Sequence, residues 1–346
     1  MKPSRAALQT AQLLTGVAAA ATAFLLATRT PKSRTGQIVL ITGGSRGLGL
    51  ALAERYARAG ARLILAARDY EELLAARHAL LDREAIQSPD DVLLIAADLT
   101  DAAQATMLVD HAVSHFGRID ILINNAGIIG VGPVENQPIA AYRRAMATNF
   151  FAALHTIHAA LPHLLNRDPG DEDSAIVNIC SIGGKFAMPH MLPYVASKFA
   201  LVGFSQGLHA ELRHKGIRVT TVCPGLMRTG GEAHAEFTGN AKKEQRWFNL
   251  AAQTPVFAAS VSHAANRVYN AVAAGRAEIT ITPQAWLAAR IAGVAPSTTQ
   301  YLASLANHLF LPQPSTADQI PLGFTLKVST YTTETIFEQE INPEQG

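Results

Sequence analysis

The sequence predicts a doubly wound α/β fold, a mainly parallel sheet of seven strands with helices on both faces. Three observations predict it. From Gln37 onward, short β-prone runs alternate with helical stretches. Those runs are continuously apolar, which marks strands covered on both faces. A glycine-rich turn joins the first strand to the first helix. Right-handed crossovers then wind the helices over both sides of the sheet.

The elements follow in order. Residues 38–41 read as the first strand, 48–59 as a helix, 62–66 as the second strand and 70–81 as a helix opened by Glu71 and Glu72. Strand three is 92–96, followed by a helix over 102–116 and strand four at 119–123. A long helical region covers 139–165, and the polar run 166–174 reads as a surface connection. Strand five is 175–179, a helix spans 194–214, and strand six is 218–222. A helix over 261–274 and a seventh strand at 278–282 complete the alternation.

The 346 residues fit one such domain, residues 36–283, with an extension at each end, 1–35 and 284–346. Apolar residues are 49% and charged residues 16%, which excludes a disordered chain. The net charge of +2 offers nothing to a polyanion, so nucleic acid is not an expected partner. Two cysteines exclude a disulfide scaffold. Residues 6–28 carry no charge, and as a helix they would be about 34 Å long, enough to span a bilayer core. Three readings stand: a membrane anchor, a cleaved signal peptide and a helix packed on the protein. Arg29, Lys32 and Arg34 follow the run against Lys2 and Arg5 before it, which favours a cytoplasm-facing domain downstream. After Pro283, the apolar run 286–295 and the helical spacing of Leu302, Leu305 and Leu309 suit a membrane surface, a cap on the domain or a partner subunit.

The first strand runs into Thr42-Gly43-Gly44-Ser45-Arg46-Gly47-Leu48-Gly49. Gly43 permits the tight turn, Gly47 lets the backbone approach a pyrophosphate, and Gly49 lets helix and strand pack closely. The helix N-terminus adds free N–H groups and partial positive charge. This is the arrangement of a Rossmann dinucleotide site. Asp69, 20 residues after Gly49, suits a ribose 2′-hydroxyl and so NAD. Arg68 and Arg46 suit a 2′-phosphate and so NADP, which is the favoured cofactor; otherwise both are solvated surface arginines. Asp98 and the Leu99 N–H are expected at the adenine, with a helix cap as the competing role for Asp98. Asn124-Asn125-Ala126-Gly127 ends the fourth strand with residues small enough for the cofactor to cross the sheet edge.

Tyr194 and Lys198 are four apart on one helix, hence on one face. A free phenol titrates near pH 10, so a nearby ammonium is expected to stabilise the phenolate and, in a closed, dry site with a cationic cofactor ring added, to bring the group toward neutrality. Ser181 ends strand five, pointing at the same sheet edge, and Asn149 lies in the preceding long helix. Cys180 and Cys223 read as small buried residues, and the pairs His111/His115 and His155/His158 as packed or solvated side chains without metal.

Together with Pro224-Gly225 and Thr229, these motifs stand in an order and spacing that resembles the short-chain dehydrogenase/reductase superfamily, over about residues 36–283. The resemblance implies that Tyr194 handles the proton at the substrate oxygen and Ser181 hydrogen-bonds that oxygen. It implies that Lys198 tunes the tyrosine and binds the nicotinamide ribose, and that Asn149 holds a relay water. Pro224, Gly225 and Thr229 would meet the nicotinamide, and 245–248 would belong to a substrate lid. It also implies dimers or tetramers. The expected activity is hydride transfer between NADP(H) and a small-molecule carbonyl or secondary alcohol, with a lipophilic substrate suggested by the apolar extensions. The rival is a non-catalytic dinucleotide-binding regulator or scaffold on the same fold.

Overall fold

Seven short apolar runs pair side by side in the computed structural model, which describes residues 35–166, 174–228, 234–253 and 258–315. The 6–28 run, Thr229 and most of the 166–174 connection lie outside the described residues. The strands are β1 (Ile38–Thr42), β2 (Arg62–Ala67), β3 (Val92–Ala96), β4 (Ile121–Asn124), β5 (Ala175–Ile179), β6 (Arg218–Cys223) and β7 (Glu278–Thr280). Their order is β7-β6-β5-β4-β1-β2-β3, and every neighbouring pair is parallel. The order reverses direction at β1 and β4, so a crevice opens there, outside the carboxyl ends of the strands. Ile41 is in register with Leu65 on one side and Ile123 on the other.

Alternation along each strand supplies two cores. Val39 and Ile41 face one side, where they meet Leu52 and Tyr56 of α1 (Gly47–Ala57), Leu73 and Leu80 of α2 (Tyr70–Asp82), and Val268 of a later helix. Ile38 and Leu40 face the other side, against Leu108 of α3 (Ala102–Phe116) and Ile157 and Leu164 of a further helix. Asp101 caps α3 by accepting from the Ala103 N–H at 2.8 Å, and Gly117 ends it in the left-handed region.

The region expected as one helix over 139–165 is interrupted. It divides into α4 (Ile139–Met146), a π turn (Ala147–Phe151) and α5 (Ala152–Leu165). Wide π turns occur mostly at functional positions, and this one carries Asn149. α6 (Leu192–Leu212) packs on the sheet beside it. A buried ladder of polar side chains pins α6 there. Thr156 donates to Asn124 Oδ1 (2.6 Å), Asn124 to Asn178 Oδ1 (3.0 Å), and Asn178 to Ser205 Oγ (3.0 Å), which lies 2.8 Å from Thr221 Oγ1. All five are buried, and each finds a partner, which removes the cost of burying them.

Beyond the sheet come α7 (Ala241–Gln253), α8 (Val261–Ala273), α9 (Pro283–Val294) and α10 (Pro296–Phe310). The side chain of Thr282 caps α9. α9 and α10 leave large apolar side chains in solvent, among them Trp286, Leu287, Val294, Tyr301, Leu302 and Phe310. Among the described residues no helix is long and apolar enough to cross a membrane.

Candidate active site

The glycine turn has the geometry its sequence demands. Gly43 sits at φ +62° and Gly47 at φ +54°, where L side chains are strained. A Cβ on Gly49 would stand 2.0 Å from the Gly43 carbonyl oxygen, so only glycine lets the helix close on the turn. The Asn125 amide donates to the carbonyls of Thr42 (3.1 Å) and Gly43 (3.0 Å), and Thr42 Oγ1 accepts from the Asn125 and Ala126 N–H groups. Asn125 therefore holds the turn in shape with its side chain. Arg46 stands at the N-cap of α1 without a side-chain cap bond. The N–H groups of Gly47, Leu48 and Gly49 are thereby left to an incoming anion.

Glu72, in the first turn of α2, reaches back to this turn. It accepts from Ser45 Oγ at 2.9 Å and pairs with Arg46. Arg46 is thus not the free guanidinium that its position in the sequence suggests. The pair is half exposed and worth only about 0–1 kcal/mol, so it yields readily to a stronger anion. Arg68 is exposed at the end of β2 and has no hydrogen-bond or ionic partner among the described residues. Asp69 caps α2, accepting from the Glu71 and Glu72 N–H groups at 2.9 and 3.2 Å.

Asp98 is not the cap of α3, since Asp101 holds that place. Asp98 instead closes a turn on Thr100, accepting from its N–H (3.0 Å) and its hydroxyl (2.8 Å). Leu99 is buried beside it, and its carbonyl lies 3.0 Å from His155 Nδ1. Its N–H has no partner among the described residues. These residues follow β3 at the outer end of the sheet, while Ala126-Gly127 follow β4, where the sheet order reverses.

The catalytic candidates converge at the start of α6. Ser181 follows β5 and caps a short turn, accepting from the Gly183 N–H at 3.0 Å. A Cβ on Gly183 would meet Tyr194 Cε1 at 3.1 Å, and one on Gly184 would stand 2.5 Å from the Lys198 carbonyl oxygen. These two glycines let the Ser181 turn lie flat on α6. They escaped the motif reading, although a pair of glycines just after a strand-end serine is a visible sign of close approach. Lys198 is buried and donates to the Ile179 carbonyl at 2.9 Å. Its Nζ lies 5.8 Å from the centre of the Tyr194 ring. A Cβ on Gly127 would stand 3.0 Å from Asn149 Oδ1 and 3.6 Å from that ammonium. The Asn149 side chain is occupied: Oδ1 accepts from the Ile128 N–H (2.7 Å), and Nδ2 donates to the Ile128 carbonyl (3.0 Å) and to Ser197 Oγ (2.9 Å).

Burial pushes the Tyr194 phenol up to about 12, and the hydrogen bond from Ser181 works against it only in part. Burial disfavours the charge of Lys198 and lowers its pKa. In the chain by itself the tyrosine is a proton donor. Burial also raises the thiols of Cys180 and Cys223, the latter to about 12, which leaves both inert as nucleophiles.

Pro224 accepts from the Ile182 N–H at 2.8 Å, and a Cβ on Gly225 would stand 2.5 Å from Thr282 Oγ1. The end of β6 is therefore covered by the start of α9. A cavity of about 630 Å³ opens between residues 185–192 and α10, lined by Phe186, Met188, Leu192, Phe199, Ala303 and Pro312 among others. Neither Ser181 nor Tyr194 lines it; the loop between them does.

Comparison with known proteins agrees with this geometry. The family model described as short chain dehydrogenase matches residues 37–237. A dehydrogenase/reductase SDR family protein 7-like of Anopheles gambiae is 32% identical over 282 residues, 82% of this chain and 83% of that protein. The D-beta-hydroxybutyrate dehydrogenase of Rhizobium meliloti is 32% identical over 190 residues, 55% of this chain and 71% of the other. A short chain dehydrogenase/reductase from Burkholderia phymatum, solved in complex with NAD, superposes with a TM-score of 0.69 at 24% identity, covering 77% of this chain and 96% of that one. The chain belongs to the short-chain dehydrogenase/reductase superfamily and is an oxidoreductase acting on alcohol and carbonyl groups.

Proposed function

We propose that the protein reduces a lipophilic small-molecule carbonyl with NADPH, Tyr194 delivering the proton. The observation that carries this reading is the convergence of Ser181, Tyr194 and Lys198 around the two glycines 183 and 184, beside Gly127 and Asn149. Bound, the reduced nicotinamide supplies the hydride that goes to the carbonyl carbon. Ser181 hydrogen-bonds the carbonyl oxygen and orients it. Tyr194 gives that oxygen its proton, and the high pKa of the phenol keeps the proton in place until then. Lys198 has ammonium protons beyond the one on Ile179, and these would hold the ribose hydroxyls of a bound nicotinamide nucleotide. Asn149 keeps one Oδ1 lone pair for a relay water and otherwise fixes the 127–128 backbone to α6 through Ser197.

Gly43, Ser45, Gly47, Leu48 and Gly49 would cradle the pyrophosphate, Asp98 and Leu99 the adenine, and Asn125, Ala126, Gly127, Pro224, Gly225 and Thr229 the nicotinamide half. NADP is favoured over NAD because Arg68 has no partner among the described residues while Asp69 is occupied as a cap. The apolar cavity and the exposed faces of α9 and α10 support a lipophilic substrate taken up at a membrane surface, with residues 6–28 as the anchor. The test is loss of NADPH absorbance across a carbonyl panel, with the natural chain and Tyr194→Phe, repeated with NADH. Turnover that falls by about 10²-fold or more in Tyr194→Phe is the expected result. Cofactor binding without turnover of any carbonyl would overturn the catalytic reading. Full-length chain that stays in the supernatant without detergent would overturn the membrane part.

A further inference from the structure

Glu244 is a carboxylate with no solvent exposure, near the start of α7. His190, also buried, places Nδ1 2.9 and 3.0 Å from its two oxygens. Trp247 donates its indole N–H to Glu244 Oε2 at 2.6 Å. Carboxylate oxygens accept, so the proton on this edge of the imidazole is on Nδ1. The three residues come from two elements that meet over the site. His190 lies in the loop between Ser181 and Tyr194, and Glu244 and Trp247 lie on α7.

His190 is held at both ends. Its carbonyl accepts from the Gly132 N–H at 2.6 Å, and its backbone adopts φ +63°, which costs a residue with a Cβ. The approach to α7 is tied to the same place: Gly130–Val131 pairs with Glu236–Phe237, and the Thr238 N–H donates to the Val131 carbonyl at 2.9 Å. Underneath, Val131, Met191, Val195 and Phe248 form a buried cluster on which Tyr194 and Trp247 also pack. α7 thus rests on the first turn of the catalytic helix. The carboxylate of Glu244 holds it there through side chains.

We propose that His190, Glu244 and Trp247 form a latch that fixes α7 as a wall of the substrate pocket, with Glu244 as its positioning residue. The proposal rests on the catalytic reading above for its kinetic consequence but not for its structural one. Withdrawing α7, which carries Trp247 along with Glu244, means parting a buried carboxylate from the His190 donor, which keeps the wall closed between turnovers and sets the size of substrate admitted. A backbone at φ +63° would suit glycine better, so the imidazole is retained at a conformational cost, as expected of a group with a task.

The test uses substitutions that spare the fold. Trp247 and Trp286 are the two tryptophans, so Trp286→Phe leaves Trp247 as the sole indole reporter. In that background, His190→Gly relieves the backbone and removes the donor. His190→Asn tolerates the same backbone and places an amide N–H as many bonds from Cα as Nδ1. The latch predicts that His190→Gly and Glu244→Ala shift Trp247 emission to the red, speed amide exchange in 241–253, and raise KM for bulky carbonyls about tenfold with kcat changed less than about threefold. His190→Asn restores the emission and the KM, and the dissociation constant of NADPH stays within about twofold throughout. Unchanged emission and exchange in His190→Gly would overturn the latch. Equal loss in the Asn and Gly variants would overturn the role of the hydrogen bond. If the natural chain turns over no carbonyl, the function proposed above fails, while emission and exchange still decide the latch.

Discussion

Gly184 lies against the backbone of Lys198 so closely that a Cβ would stand 2.5 Å from the lysine carbonyl oxygen. The obstacle is helix backbone, which cannot step aside like a side chain. Gly184→Ala must therefore push the Ser181 turn away from α6. A displacement of about 1 Å between reacting groups costs about 10²-fold in rate. The expected outcome is a kcat about 100-fold lower with far-ultraviolet dichroism and NADPH affinity near those of the natural chain. A Gly184→Ala enzyme with natural kcat would show that the Ser181–Tyr194 geometry does not depend on this contact.

Tyr194 supplies a pH prediction. The folded chain holds the phenolic proton to about 12, against 10.0 for the ordinary group. Reduction with NADPH needs the protonated form, so its kcat stays flat from about pH 6 to 9 and falls only in stronger alkali. Oxidation of an alcohol needs the phenolate, so its rate climbs with pH across the same interval. The same shift adds stability that is fully present below about pH 10 and is lost as the pH rises through about 12. Tyr194→Phe removes this alkaline loss, which thermal melts at pH 9 and 11 would register. A reductive kcat that titrates away near pH 7 would contradict the proton-donor role.

The strand pattern and the glycine turn were legible because each follows from local rules. Continuous apolar runs report burial on both faces, and Gly43, Gly47 and Gly49 stand where backbone conformation or contact admits little else. What escaped depends on which side chains meet across the fold. Glu72 takes Arg46 from 26 residues away, and Glu244 reaches His190 across 54. Nothing local marks either acid as a partner. The break at Asn149 was hidden for a different reason: Ala147 to Phe151 has ordinary helix-compatible residues, and the π turn accompanies long-range bonds of Asn149 to Ile128 and Ser197. The burial of Tyr194 was out of reach too, because spacing along a helix reveals a neighbouring charge but not the desolvation around the phenol.

Asn178 is the central rung of the buried polar ladder, accepting from Asn124 and donating to Ser205 at 3.0 Å each. Asn178→Ala strands one donor and one acceptor in a dry interior, at a cost of about 2–3 kcal/mol. Ser205 lies two turns below Lys198 on α6, so the loss also loosens the catalytic helix. Denaturant unfolding should show the lower stability, and kcat should fall more than the affinity for cofactor. Full stability in Asn178→Ala would mean that water replaces the amide and that the ladder does not pin the helix.

Cofactor choice turns on three charges near the glycine turn. Arg68 has no partner among the described residues, Arg46 is engaged by Glu72, and Asp69 faces the α2 backbone. A 2′-phosphate would bring roughly two negative charges, more than the single carboxylate of Glu72 offers, and would draw Arg46 across at little cost because the existing pair is exposed. Arg68→Ala should weaken NADPH about 10- to 100-fold while NADH changes less than about twofold. Glu72→Gln should act in the opposite direction, tightening NADPH a few-fold by releasing Arg46 and removing a like charge from the phosphate. Titrating intrinsic fluorescence with each dinucleotide measures both. Equal weakening of NADPH and NADH by Arg68→Ala, or tighter binding of NADH by the natural chain, would reassign the cofactor to NAD.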